Sequence, residues 1–228
     1  MSPFVIAPPP QPSAPVAGGG LFPVRRIFCV GQNYAEHARE MGGDPQRNPP
    51  FFFTKPADSL VTSGADAPYP SLTKNLHHEI ELVVALASGG VNMAPENARA
   101  LIFGYAAGID LTRRDLQAEA KKAGRPWDMA KGFDGSAPLG LIRPAGACGE
   151  VGKGRIALSV NGSPRQQGDL ADMIWSVSEI IAILSTHVAL APGDLIFSGT
   201  PAGVGPVEAG DFLNGEIEGV GEVTTRIV

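Results

Sequence analysis

The alternation of apolar and polar positions predicts many short strands broken by a few helices. Ile27-Phe28-Cys29-Val30 forms a short apolar strand. Gly31-Gln32-Asn33-Tyr34 then turns the chain into a brief helix over Ala35–Met41, stopped by Gly42-Gly43. Phe51-Phe52-Phe53-Thr54 is a second apolar strand, and His78–Ala87 a third, rich in aliphatic and β-branched residues. Pro95 and Glu96 open a helix to about Ile102, and Tyr105–Leu111 returns to strand. Thr112 with Asp115 has capping-box spacing for the next helix, which Gly124 ends. Ile156–Val160 and Pro164–Gln167 flank Asn161-Gly162, the pair favoured in a tight hairpin turn. A second capping box, Ser176 with Glu179, opens a helix to about Thr186. Strands near Leu195–Ser198, Asp211–Ile217 and Glu222–Val228 follow.

Interleaved short strands and scarce helices predict a β-rich α+β fold rather than a doubly wound α/β sheet. Residues 1–20, with Pro8-Pro9-Pro10 and Gly18-Gly19-Gly20, read as a poorly ordered arm preceding a single domain over 21–228. That arm lacks the basic and apolar regions of a signal peptide, and no apolar run is long enough to span a bilayer. Across the 228 residues, 43% apolar and 18% charged content describes a globular chain, and 29 Gly with 21 Pro fit many turns. A net charge of −5 without a basic run argues against a nucleic-acid partner. Cys29 and Cys148 cannot make a disulfide framework and lack zinc-ligand spacing, which fits a reduced, cytoplasmic setting. Cys29, in an apolar strand, is expected to be buried and inert, and Trp127 and Trp175 to belong to the core.

Candidate chemistry concentrates in His77-His78-Glu79-Ile80-Glu81-Leu82. On a strand Glu79 and Glu81 share a face, and two carboxylates one pleat apart require either solvent or a cation. A solvated edge strand satisfies the first requirement, and a metal the second. Asp110, ending another apolar strand, is either a helix-start residue or a third ligand. Three carboxylates form a hard all-oxygen set suited to Mg2+ or Mn2+, with coordination positions left open for substrate and water. His37 and Glu40, three apart on a helix, form either a surface ion pair or a general base held by a carboxylate. His77 and His78 could themselves ligate a metal. Gly199–Gly205 lacks phosphate-loop spacing and reads as turns.

Several ordered stretches resemble the fumarylacetoacetate hydrolase family, and in particular its short acylpyruvate-cleaving members. They are Gly31–Tyr34 with His37 and Glu40, Phe53–Pro56, Asn75–Leu82, Gly108–Asp115, Trp127–Lys131 and Gly199–Pro206. The match runs from about Arg25 to Val228. The resemblance implies a β sandwich or roll, usually a homodimer, with Glu79, Glu81 and Asp110 holding one Mg2+ or Mn2+ per subunit. It implies instead that His77 and His78 stand behind an oxygen-only site. It implies that His37 and Glu40 activate water, that Lys131 serves the reaction and lines the cavity with Gln117, that Gln32, Tyr34, Lys55 and Gln117 contact the substrate, and that Thr200 helps bind the substrate carboxylate. Gln32 replaces an Arg common in relatives, which removes a charge. The implied activity is hydrolysis of a carbon–carbon bond in an acylpyruvate, fumarylpyruvate above others, in aromatic catabolism by the gentisate route. Oxaloacetate decarboxylation, or isomerisation and decarboxylation of a related diacid, uses the same ligands. A metal-stabilised binding protein without turnover is the alternative of another class.

Overall fold

The computed structural model describes residues 4–42, 47–149 and 151–228. Its centre is a curled, mixed eight-stranded sheet. The strand order is Phe51–Lys55, Arg26–Gly31, Asp194–Phe197, Ile80–Leu86, Ile102–Ile109, Ala137–Leu139 and Leu60–Thr62, with Arg143–Pro144 also pairing with Ile102–Ile109. Neighbours pair antiparallel except Asp194–Phe197 with Arg26–Gly31 and Ala137–Leu139 with Leu60–Thr62. A second sheet, Ser163–Asp169, Arg155–Val160, Phe212–Ile217 and Gly221–Arg226, packs against the first. A small three-stranded sheet of Gly205–Val207, Leu76–His78 and Thr112–Arg113 lies at the edge of the site. The β-rich architecture expected from the chain is the one observed.

Each side of the central sheet has its own apolar core. Ile80, Leu82, Val84 and Leu86 face the larger one, with the Val177–His187 helix and the second sheet. Val83 and Ala85 face the other, with Ile27, Cys29, Leu195 and Phe197. Alternation along Ile80–Leu86 therefore sorts side chains between two dry faces, and the whole strand is buried. Glu81 falls on the second face by the same parity. Gly108 sits opposite it in register, where a Cβ would stand 2.6 Å from Val83 and 2.8 Å from Phe197.

Local signals are well reproduced. Asn161 and Gly162 adopt φ of 51° and 77° in the turn between their strands. Ser176 and Glu179 cap the Val177–His187 helix reciprocally. Cys29 is fully buried, and that burial raises its thiol pKa.

Other expectations are corrected. The Thr112–Asp115 capping box does not form: the helix spans Arg114–Lys122 without a side-chain cap. Thr112 is buried on Glu79 and Lys131, while Asp115 accepts from the Thr73 hydroxyl and the Lys74 amide. The segment expected as one strand over His78–Ala87 is interrupted at Glu79. The opening segment is not a loose arm throughout. Ser13–Pro15 pairs with Leu21–Pro23, Gly18 to Gly20 make the turn, and Ala14 and Phe22 are buried in the second core. Trp127 and Trp175 are half-buried rather than core, and Trp127 stands at the mouth of the site.

Candidate metal centre and active site

Glu79, Glu81 and Asp110 converge, each offering a carboxylate oxygen within 4.8 Å of the others. The backbone explains the meeting. Ile80 pairs with Ile109 and Glu81 with Gly108, and one step further the Asp110 amide donates to the Glu79 carbonyl at 2.8 Å. The strand is central and all three residues are buried, which removes the solvated-edge alternative. Buried carboxylates this close require cations.

Three protein cations answer three carboxylates. Lys131 Nζ donates to Glu79 Oε2 at 2.9 Å, Asp110 Oδ2 at 2.6 Å and Thr112 Oγ1 at 2.6 Å, which commits all its N–H groups. Arg114 pairs with Glu79 Oε1, and Lys55 Nζ lies 2.7 Å from Asp110 Oδ1. The Lys55 contact is at ion-pair distance but out of hydrogen-bond alignment, so Oδ1 accepts no hydrogen bond from a described residue. Burial alone would raise the Glu79 pKa, but Lys131 and Arg114 overrule it and hold the carboxylate well below its usual range. Lys131 moves reciprocally: burial opposes its charge, while Asp110 and Glu79 raise its pKa overall. Among the described residues Glu81 has only the Gly199 amide as a donor, at 2.7 Å, and burial with the Asp110 and Glu79 charges drives its pKa well up. An electron-rich Glu81 and an Asp110 oxygen accepting no hydrogen bond, in an all-oxygen set, fit a divalent cation.

The dyad forms in the same place. The Ala35–Glu40 helix buries His37, whose Nδ1 lies 3.2 Å from Glu40 Oε2. A carboxylate only accepts, so Nδ1 carries the proton and Nε2 the lone pair. Both Glu40 oxygens also receive the Gly203 amide at 3.3 Å. His37, Glu79, Glu81, Arg114, Gln117, Lys131 and Thr200 line one narrow cavity of about 30 Å3. It adjoins a groove of about 130 Å3 through Gly31 and Gln32, and a wider one of about 450 Å3 through Phe53 and Trp127.

Of the residues expected to meet substrate, Gln32, Gln117 and Thr200 reach the cavity wall and Tyr34 and Lys55 do not. Lys55 is fully buried behind Asp110, donating to the carbonyls of Leu111, at 3.1 Å, and Lys131. Tyr34 is buried with no partner for its hydroxyl among the described residues, and burial and Glu81 raise its pKa. Gln32 holds a left-handed φ of 56°, a strained conformation at the junction of cavity and groove. His77 and His78 stand behind the ligands, bonded to Asn75 and Gln166. Sequence reasoning missed Arg114, which bridges Glu79, His77 and Gln117. Its place one turn before Gln117 on the same helix was the available signal.

Residues 26–228 match the family described as Fumarylacetoacetate (FAA) hydrolase C-terminal. The chain belongs to the fumarylacetoacetate hydrolase family and is an enzyme of the carbon–carbon bond hydrolase class. It is similar to a fumarylpyruvate hydrolase of Ralstonia sp, 47% identical over 78% of this chain and 92% of the relative. It is also similar to the oxaloacetate tautomerase YcgM of Escherichia coli, 41% identical over 91% of this chain and 94% of that one. A crystal structure of fumarylpyruvate hydrolase from Pseudomonas aeruginosa, in complex with Mn2+ and pyruvate, shares its fold. The TM-score is 0.96 at 49% identity, with 99% of each chain covered.

Proposed function

We propose that this enzyme hydrolyses fumarylpyruvate to fumarate and pyruvate in a reaction that depends on Mg2+ or Mn2+. The observation that carries the reading is the single cavity that His37 shares with Glu79 and Glu81 of the carboxylate cluster. A general base must reach its proton directly or through one water, and such a shared cavity supports that. Glu79, Glu81 and Asp110 would hold the ion, whose Lewis-acid charge would act at the pyruvyl end of the substrate.

The remaining steps belong to the chain's own side chains. His37, its ring held by Glu40, takes a proton from water, and the resulting hydroxide attacks the carbonyl of the acyl group. Lys131 has no N–H left for the tetrahedral alkoxide, so it acts as a fixed counter-charge. Gln117 is better placed. Arg114 takes its Oε1 at 2.6 Å, and its Nε2 has no protein acceptor among the described residues, which leaves an amide donor for the alkoxide. Collapse then breaks the carbon–carbon bond, and the pyruvyl carbon leaves with the proton that His37 took from water.

Charge supports an anionic substrate: three carboxylates balance three protein cations, so a divalent ion leaves the cluster positive. The grooves that adjoin the narrow cavity offer room for the acyl chain of an acylpyruvate. A pyruvate-release assay on metal-stripped protein tests the proposal, with fumarylpyruvate, acetylpyruvate and oxaloacetate each given Mg2+, Mn2+ or no metal. The expected result is metal-dependent release, fastest from fumarylpyruvate. Enol–keto interconversion of oxaloacetate without pyruvate release from fumarylpyruvate would overturn it in favour of the tautomerase reading.

A further inference from the structure

Gln166, on the Ser163–Asp169 strand, is buried and has every hydrogen-bonding position of its amide filled. Oε1 meets the Ile80 amide at 3.0 Å and His78 Nδ1 at 2.9 Å. Nε2 meets the Pro201 carbonyl at 2.9 Å and Thr200 Oγ1 at 2.8 Å. Two of these partners are backbone groups with only one possible role: Ile80 N–H must find an oxygen, and the Pro201 carbonyl must find a donor. They fix which end of the amide is which. With Oε1 an acceptor, His78 must carry its proton on Nδ1. With Nε2 a donor, Thr200 Oγ1 must accept, and its own proton has to point elsewhere. No described residue accepts that proton, and Thr200 lines the cavity.

We propose that Gln166 is a positioning residue: by donating to Thr200 Oγ1 it turns the hydroxyl proton into the cavity, presenting a donor to a substrate carboxylate oxygen. The same amide bonds both His78 and Ile80, the residues on either side of Glu79, so it registers that donor against the carboxylate cluster. The inference rests on the functional reading in one respect, that the ligand carries a pyruvyl carboxylate.

Calorimetric titration of pyruvate into Mn2+-loaded protein tests this, alongside KM and kcat for fumarylpyruvate. Thr200→Val should weaken pyruvate binding about tenfold or more, the effect of losing a hydrogen bond to a charged group. Gln166→Met should weaken it by roughly threefold to tenfold, with the change in KM exceeding that in kcat. The double variant should bind no worse than Thr200→Val alone, because Gln166 acts through that hydroxyl. Thr200→Ser should retain near wild-type affinity and its dependence on Gln166. Additive losses, or unchanged affinity in Gln166→Met, would overturn the proposal.

If Gln166→Met does not fold, the histidine 15N spectrum of the wild type decides: an Nδ1–H tautomer at His78 supports the assignment and Nε2–H overturns it. Wild-type protein that binds no pyruvate also overturns it. Wild-type protein that binds pyruvate with this variant pattern but cleaves no acylpyruvate supports the positioning role and defeats the functional reading alone.

Discussion

Replacing Lys131 with Met removes the ammonium between Glu79 and Asp110 while keeping the length of the aliphatic stem. The lysine is buried and donates three hydrogen bonds, two of them to buried carboxylates. Stripping one partner from a buried ion pair costs about 3–5 kcal/mol, because the charge left behind is uncompensated. Lys55 and Arg114 remain in contact with Asp110 and Glu79, which places the loss towards the lower end of that range. For a chain of this size each kcal/mol moves the melting temperature by about 2–4 °C, so a fall of roughly 6–12 °C is expected. Thermal and urea unfolding in excess EDTA would measure it without interference from bound metal. Mn2+ should then stabilise the variant by more than it stabilises the wild type, since the ion supplies charge that the lysine no longer does. A loss below about 1 kcal/mol in EDTA would refute the reasoning, because it would mean that the cluster is already hydrated or protonated and does not need this cation.

Three further outcomes are expected. His37→Ala should lower kcat by about 10²–10⁴-fold while Mn2+ affinity, followed by titration, stays within a few fold; full turnover would remove His37 from the mechanism. Gly199→Ala should destabilise the fold by about 1–3 kcal/mol in thermal melts, since the position has φ +97° and an added Cβ would lie 2.7 Å from the Asn33 Cβ; an unchanged melt would contradict that strain. Asp115 is held below its usual pKa by bonds from Thr73 and the Lys74 amide, which outweigh the raising effect of its burial. A depressed carboxylate contributes stability above its unfolded pKa and loses it as pH falls through the folded value. Asp115→Asn should therefore be less stable by roughly 1 kcal/mol, discounted for solvent screening, from pH 7 to about 5, and the gap should close below about pH 4; a gap that widens in acid would be inconsistent.

What could be read from the chain depended on the range of the interaction. The Asn161-Gly162 turn and the Ser176–Glu179 box are local and behave as their spacing says. The carboxylates were legible because charge on a dry strand is conspicuous wherever the strand lies. Thr112 misled because a threonine three residues before an aspartate caps helices only when its hydroxyl is free, and here Lys131 and Glu79 claim it. Lys55 was assigned to substrate because its side that faces Asp110 is decided by sheet order, which a strand pattern does not contain. Gln166 was unremarkable among polar residues of a hairpin until the fold brought His78, Ile80, Thr200 and Pro201 around it. The opening hairpin was missed for a related reason: glycines that forbid regular structure are also those that permit a tight reversal.

The stretch from Gly199 to Gly203 gives one amide to Glu81, one hydroxyl to the cavity and one amide to Glu40. Within five residues it serves the proposed ion-binding cluster, the proposed substrate wall and the proposed water-activating pair. A shift of the backbone here cannot adjust one of these tasks while sparing the others. Variation that changes substrate preference has an easier course along the outer rim, at Gln32, Phe51 and Trp127, where side chains border the grooves without holding the reactive groups in place. Descendants of this chain should therefore differ in what they accept sooner than in how they act on it.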